Sequence, residues 1–279
     1  MAFAGRAALL AASFCASLLT AGHASAAQCG NNAGGFENWK AQFSREAASR
    51  GIGQRGLNAL ANTRYASKTI AADRGQKSFK LTLKSFMQKR GSNAIVSRGK
   101  GMKKKYARLF ANIEQRYGVP AGPLIAIWGM ETNFGGFMGG NNTIHALATL
   151  TEKGYRANFF RSELVTALRI VSDGHISPNA MVGSWAGAMG HTQFMPSSFM
   201  RYAVDYNGDG RKDIWNSVPD ALGSTANYLQ SFDWRPGETW GYEVKLPQGF
   251  NFAAAREMGK APLSQWQAMG ISRASGSAF

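Results

Sequence analysis

Cysteine is almost missing from this chain: Cys15 and Cys29 are the only two among 279 residues. Cys15 falls in a leader-like segment, so no internal disulfide can form after export, and Cys29 is left as a free thiol or one awaiting an outside partner. Long apolar runs are also missing. Nothing beyond the leader reaches the roughly 18 uncharged apolar residues that a membrane-spanning helix requires. No internal repeat and no low-complexity linker interrupts the chain, so it suits one large domain, or a large and a small one. Acids are scarce: 16 Asp and Glu stand against 32 Lys and Arg, for a net charge of +16. The imbalance is local. Residues 64–110 hold 14 Lys or Arg and a single acid, Asp73, and include the run Lys103-Lys104-Lys105.

The start of the chain reads as a secretory signal over residues 1–27. Arg6 gives it a basic beginning, residues 7–21 are small and apolar, and Ala24-Ser25-Ala26 offers an A-x-A site, with cleavage expected near residue 26 or 27. The apolar part is too short to span a bilayer. Cys29 follows Gln28 and Cys15 follows Phe14, neither of them the small residue that precedes a lipid-anchoring cysteine, so no lipid anchor is expected. The protein is therefore expected outside the cytoplasm, in the periplasm, as a monomer. Nucleic acid is the default partner of such a basic stretch, but export argues against it. An anionic surface outside the membrane, either lipid headgroups or a carboxylate-rich wall polymer, fits better. The plainer alternative is a solvated basic helix face.

Apolar periodicity predicts a mainly α fold. Trp39, Phe43 and Ala47 repeat at helical spacing, and Met102, Tyr106, Leu109, Phe110, Ile113 and Tyr117 predict one helix ended by Pro120. Residues 121–132 start another. Phe160, Leu164, Val165, Leu168 and Val171 mark a further helix, as do Val218, Leu222, Thr225 and Leu229. Phe79, Leu81 and Leu83 alternate and predict an extended stretch. After Asp233, a Trp-Arg-Pro-Gly turn followed by Trp240, Tyr242, Val244 and Leu246 predicts short strands. The expected division is a helical domain over 28–232 and a small β-containing subdomain over 233–279.

Residues 124–130 (LIAIWGM) are apolar all round a helix, which marks that helix as buried. Glu131 follows at once, then Thr-Asn-Phe-Gly-Gly, whose glycines release the helix. A carboxylate at a helix C-terminus meets partial negative charge, and apolar neighbours such as Trp128 and Phe134 desolvate it. Both effects raise its pKa, which suits a buried general acid. The alternative is a solvated glutamate at a frayed end. Residues 183–198 (GSWAGAMGHTQFMPSS) form a second unusual segment, rich in small residues with few polar ones: Ser184, His191, Thr192, Gln193, Ser197 and Ser198. It can line a groove, with Gln193 hydrogen-bonding a sugar and Trp185 and Phe194 stacking on sugar faces, or it can be tight packing through small residues. His145, His175 and His191 share no ligand spacing and read as packing or surface residues.

The blocks E-T-N-F-G (from Glu131) and A-G-A-M-G-x-x-Q-F-M-P-S-S (from Ala186), with Y-G-V-P before the first and A-L-A-T-L after it, resemble the signature of the lytic murein transglycosylase B family. The likeness runs from about Phe36 onwards. It implies a lysozyme-like helical domain with a small β-rich insertion. It also implies cleavage of the β-1,4 bond between N-acetylmuramic acid and N-acetylglucosamine without water, leaving a 1,6-anhydro sugar. By the same resemblance Glu131 matches the sole catalytic acid/base, Ser184 and Gln193 match residues that hold the glycan, and Tyr155 and Arg156 match a segment near the peptide-bearing sugar. No second acid lies close to Glu131; the next is Glu152, after an apolar helical stretch. Ordinary glycosidases need two carboxyls, so this count agrees with the single-carboxyl reaction. Members of the family continue past the point equivalent to Phe279 with a Tyr-Asn-x-Ser segment and a closing helix, neither of which appears here. The competing functions are a catalytically inactive peptidoglycan-binding protein and a hydrolytic muramidase.

Residues 205–213 (DYNGDGRKD) fit the EF-hand pattern D-x-[DN]-x-[DN]-G. Asp205, Asn207 and Asp209 would supply oxygens at the first, third and fifth positions, and the Arg211 carbonyl at the seventh, to a structural Ca²⁺ or Na⁺. The twelfth position is Asn216 rather than a bidentate glutamate. Asp220 resembles the family's closing ligand, Asp213 is expected to act through water, and the EF-hand-like loop spans 205–220. No organic cofactor is expected. The alternative is a polar Asx-turn loop without metal.

Overall fold

Trp39, Phe43 and Ala47 share one stripe of helix α1 (Phe36–Ser49), and that stripe is buried. The computed structural model describes residues 33–75, 81–152, 156–277 and 279, and those residues are mainly helical. Helices α2 (Gln54–Ala61), α3 (Ser67–Arg74), α4 (Leu83–Lys89), α5 (Ser92–Lys105), α6 (Ala107–Tyr117) and α7 (Ala121–Thr132) follow in order. Strand β1 (Asn141–Asn142) then leads into α8 (Thr143–Glu152) and α9 (Ala157–Ser172). Strand β2 (Val182–Gly183) pairs antiparallel with β1, setting Asn141 opposite Gly183. Helices α10 (Pro196–Tyr202) and α11 (Val218–Ser231) complete the helical body.

Two apolar clusters hold it together. In the first, α1, α2, α8, α9 and α10 bury Phe36, Trp39, Leu147, Leu164 and Phe199. The Trp39 ring stacks on Phe36 and on Phe43 at centroid separations of 5.5 and 5.0 Å. Each such side chain contributes about 1.5–3 kcal/mol on full burial. Helix α2 lies so close to α9 that a Cβ on Gly56 would stand 2.6 Å from the Leu168 carbonyl. The second cluster joins α6, α7 and α11 through Phe110, Ile113, Leu124, Trp128 and Leu222. Buried ions are used as ties. Lys40 Nζ donates to the carbonyls of Ala61 and Thr63 at 2.9 and 2.8 Å, fastening α1 to the end of α2. The buried Glu163 carboxylate on α9 accepts from the Ser197 amide and hydroxyl at 2.9 and 2.6 Å, fixing the first turn of α10.

Three local expectations change. The predicted helix through Met102 and Tyr117 is two helices, broken at Tyr106, where φ −108° and ψ 25° interrupt the α-helical backbone. Its end is made by Gly118 in the left-handed region at φ 70°, while Pro120 opens α7 instead. Leu83 begins helix α4 rather than extending a strand, because Thr82 accepts the Ser85 amide and caps a helical turn; Phe79 lies outside the described residues. Beyond Asp233 the strands shrink to β3 (Val244–Lys245) paired with β4 (Ser272–Arg273), and helices α12 (Phe252–Met258) and α13 (Leu263–Ala268) lie between them. Trp234 Nε1 donates to the Gly118 carbonyl at 2.9 Å, which anchors the start of this piece on the end of α6.

Candidate active site

Helix α7 buries Leu124, Trp128, Gly129 and Thr132, and Glu131 is carried one residue before its end. The chain leaves the helix through three successive left-handed residues, Asn133, Phe134 and Gly135, at φ 51°, 61° and 77°. For the two that are not glycine this costs about 1–3 kcal/mol each and persists only where the surroundings enforce it. A buried clamp supplies the enforcement. Trp128 Nε1 donates to His191 Nδ1 at 3.0 Å, Thr132 Oγ1 donates to the His191 carbonyl at 2.6 Å, and the Gly135 amide donates back to Thr132 Oγ1 at 3.0 Å. The Phe134 ring packs edge-on against Trp128. Gly135 has no room for a side chain: a Cβ would sit 2.2 Å from the His191 ring. Burial lowers the His191 pKa, with a smaller opposing pull from Asp213. A neutral ring is what the Trp128 hydrogen bond needs, because Nδ1 must accept.

The segment 182–194 returns to this clamp as a tight tongue. Met189 and Phe194 exchange two backbone hydrogen bonds, and the His191 amide donates to the Ile214 carbonyl. A Cβ on Gly183 would stand 2.2 Å from the Ala188 carbonyl, and one on Gly139 would stand 1.9 Å from the Gly183 carbonyl. Small residues therefore serve close backbone packing here, and that packing forms one wall of a cavity. The cavity holds about 370 Å³ and is lined by Lys68, Glu131, Phe137, Asn141, Ser184, Trp185 and Gln193, together with Ala72, Gly139 and Gly140.

Glu131 stands exposed at the mouth of this cavity rather than buried. A residue one step from a helix end projects past the core that its helix buries. Burial of its carboxyl against the surrounding protein still raises its pKa above the usual carboxylate range, and Arg90 opposes that rise. It is the only carboxyl among the described lining residues. Ser184 Oγ accepts from the Ala186 and Ala188 amides at 3.3 and 3.0 Å, leaving its hydroxyl hydrogen to donate. Gln193, at φ 55°, spends its amide nitrogen on the Met138 and Gly190 carbonyls at 3.1 and 3.0 Å, which leaves Oε1 as the acceptor for a ligand.

Not every expected ligand-binding residue is here. Phe194 is 6% exposed and packs on Tyr228, so it supports the wall from behind and has no face for a sugar. Arg156 sits before α9, its guanidinium over the rings of Phe159 and Phe160, and does not line the cavity. Tyr155 lies outside the described residues. Lys68, Phe137 and Asn141 do line the cavity, and no spacing in the sequence pointed to them.

The loop after α10 gathers three carboxylates. Oxygens of Asp205, Asp209 and Asp220 lie within 4.8 Å of one another. Asp205 accepts from the Gly208, Asp209 and Gly210 amides, winding the loop about its own carboxylate. Asn207 Oδ1 accepts from the Asp209 amide and Asp209 Oδ1 from that of Arg211. Asp220, 0% exposed, sits in the first turn of α11 and accepts from the amides of Tyr206, Asn207 and Asp213. Asp213 is not part of the cluster. Its Oδ1 is turned to the Trp215 and Asn216 amides, and Asn216 donates to it rather than facing the loop. An all-oxygen donor set with one buried carboxylate fits a hard cation, which would offset the repulsion among three like charges.

Known proteins share this fold. The membrane-bound lytic murein transglycosylase B of Escherichia coli is 44% identical over 142 residues, covering 49% of this chain and 39% of that protein. SltB3 of Pseudomonas aeruginosa, solved with NAG-NAM-pentapeptide and with NAG-anhNAM-pentapeptide, superposes with a TM-score of 0.81 at 40% identity. The match to its NAG-NAM-pentapeptide complex covers 88% of this chain and 66% of that one. The Escherichia coli lytic transglycosylase Slt35 in complex with calcium superposes with a TM-score of 0.66 at 30% identity, covering 89% of this chain and 79% of that one. The chain thus spans well under half of the curated relative and just under two thirds of SltB3. Residues 35–278 match the family described as Transglycosylase SLT domain. With the helical body and lysozyme-like fold of those enzymes, this chain belongs to the transglycosylase SLT domain family.

Proposed function

We propose that this chain cleaves the β-1,4 bond between N-acetylmuramic acid and N-acetylglucosamine of peptidoglycan as a lytic transglycosylase, using Glu131 alone as acid and base. The observation that carries the reading is the single carboxyl among the described residues that line the cavity. Hydrolytic glycosidases place two carboxyls on either side of the bond, one of them to handle water or to act as nucleophile. With one carboxyl, the nucleophile is best supplied by the substrate. Glu131, kept protonated to higher pH by desolvation, first gives its proton to the leaving glycosidic oxygen. As a carboxylate it then takes the proton of the muramic acid 6-hydroxyl, whose oxygen closes on C1 to give the 1,6-anhydro ring. Intramolecular attack makes that hydroxyl far more effective than bulk water.

Ser184 as donor and Gln193 Oε1 as acceptor suit the amide and hydroxyl groups of the glycan, and Trp185 offers a flat apolar face beside them. The test is release of soluble muropeptides from purified sacculi. Glu131→Gln should lower release by about 100-fold or more without lowering the unfolding midpoint. Retained activity in that variant would overturn the assignment.

Asp205, Asp209 and Asp220, with Asn207 and the Arg211 carbonyl, are proposed to hold Ca²⁺ or Na⁺. The ion would fasten the 205–213 loop to the start of α11, remote from proton transfer. Residues 1–27 support export to the periplasm, where the glycan substrate lies; they are outside the described residues.

A further inference from the structure

A second concave surface lies on the other side of the α7 end. Helices α4 and α5 meet α7 around a groove of about 360 Å³ lined by Phe86, Met87, Ile95, Val96, Ile125 and Met130. The inner contact is close. A Cβ on Gly99 would stand 2.9 Å from Ile125 Cγ2, and one on Gly129 would stand 2.7 Å from Ile95 Cγ2. With that face filled, the remaining apolar side chains point outward: Leu83 is 76% exposed, Val96 58%, Met130 48% and Met87 44%. Apolar groups gathered this way mark a contact surface.

Charge identifies the occupant. From Leu81 to Ile113 the chain carries nine Lys or Arg and no Asp or Glu. Arg90, Lys100 and Lys103 stand directly on the groove, and Lys84, Lys89 and Lys104 are exposed beside it. A surface built by three helices that sets exposed apolar side chains among cations of one sign suits a membrane interface, with the apolar groups among acyl chains and the cations among phosphates. A carboxylate-rich wall polymer would satisfy the cations but would leave the apolar groove in water. Among the described residues no helix is long and apolar enough to cross a membrane, so such contact would be peripheral.

We infer that the α4–α5 surface docks the protein on a bilayer bearing anionic phospholipid headgroups. This stands apart from the glycan chemistry, but the two surfaces share a helix end: Met130 lines the groove and Glu131 the catalytic cavity. Docking would therefore set the glycan cavity beside the membrane-facing layer of the wall.

The experiment is co-sedimentation of the purified chain with phosphatidylcholine vesicles, with and without phosphatidylglycerol, in parallel with purified sacculi. Binding should require phosphatidylglycerol and weaken with added salt. It should fall about 30-fold or more in Lys100→Glu/Lys103→Glu, and about 10-fold in the charge-neutral Leu83→Ser/Val96→Ser. All four side chains are exposed, and unchanged circular dichroism would show both variants folded. A readout on the unsubstituted chain avoids variants altogether: anionic vesicles should protect the amides of α4 and α5 from hydrogen exchange, and neutral vesicles should not. Absent or equal binding to the two vesicle types would overturn the inference. Sacculus binding that is lost in the charge variant, with no vesicle binding, would reassign the patch to wall carboxylates.

Discussion

Replacing Gly135 with alanine strikes the loop that carries Glu131 where it has least room. The residue sits at φ 77°, and an added Cβ would come 2.2 Å from His191 Cε1 and 2.4 Å from Nδ1. Left-handed backbone costs an L-residue about 1–2 kcal/mol. Displacing the imidazole also breaks its hydrogen bond from Trp128 and leaves a buried N–H unpaired, at about 1–3 kcal/mol. Together the loss is about 2–5 kcal/mol, or a fall of about 5–15 °C in the unfolding midpoint for a chain of this size. Urea denaturation and thermal melts measure it. Activity should fall further than stability alone explains, by about 10–100-fold, because Glu131 loses its fixed approach. The cause can be isolated with Gly135→Ala/His191→Ala. Removing the ring makes room for the methyl group, so the two effects should be less than additive by at least about 1 kcal/mol. A Gly135→Ala variant within about 0.5 kcal/mol of the parent, or strict additivity in the cycle, would refute the clamp.

Other outcomes follow from the same geometry. The raised folded pKa of Glu131 means that its contribution to stability is complete below its unfolded pKa and is lost as pH rises through the folded value. Glu131→Gln should therefore match the parent in acid and melt at the same or a higher temperature near neutral pH, as thermal melts across pH will show. Arg90 opposes the rise, so Arg90→Met should move the alkaline limb of the kcat/KM profile to higher pH; an unmoved or lowered limb would contradict the electrostatic reading. His191 has the opposite sign. Its pKa is depressed, so its contribution is present above the unfolded value of about 6.5 and is lost as pH falls through the folded value. His191→Gln should flatten the decline in stability on that acid side. Calcium at about 100 times its Kd should stabilise the chain by about 2.7 kcal/mol, and EDTA should reverse the gain; a midpoint indifferent to both would remove the cation.

The helices that were legible in the sequence are those whose buried stripe is long. Trp39, Phe43 and Ala47 in α1, and Leu164 with Leu168 in α9, hold the 3.6-residue period and are buried as it requires. The bounds of α7 were legible too, because an apolar run stops at a polar residue followed by glycines. The break at Tyr106 was invisible, since the same apolar spacing runs through a single residue of altered backbone. Three alternating residues were too few to call a strand at Leu83, where the Thr82 cap decided otherwise. In the 182–194 tongue no period exists to say which side chains face out, and Phe194 turned inward. The clamp joins Trp128 to His191, 63 positions apart; a lone histidine in sequence carries no sign of such a partner. The tongue's small residues allowed either tight packing or a groove wall, and the structure uses them for both.

The most direct test of the single-carboxyl account is the source of the oxygen at the new sugar end. Purified sacculi digested in ¹⁸O-labelled water should yield muropeptides with 1,6-anhydro ends and no label, because the 6-hydroxyl of the substrate closes the ring. Reducing ends that carry ¹⁸O would contradict the account, showing that water rather than the substrate's 6-hydroxyl attacks C1.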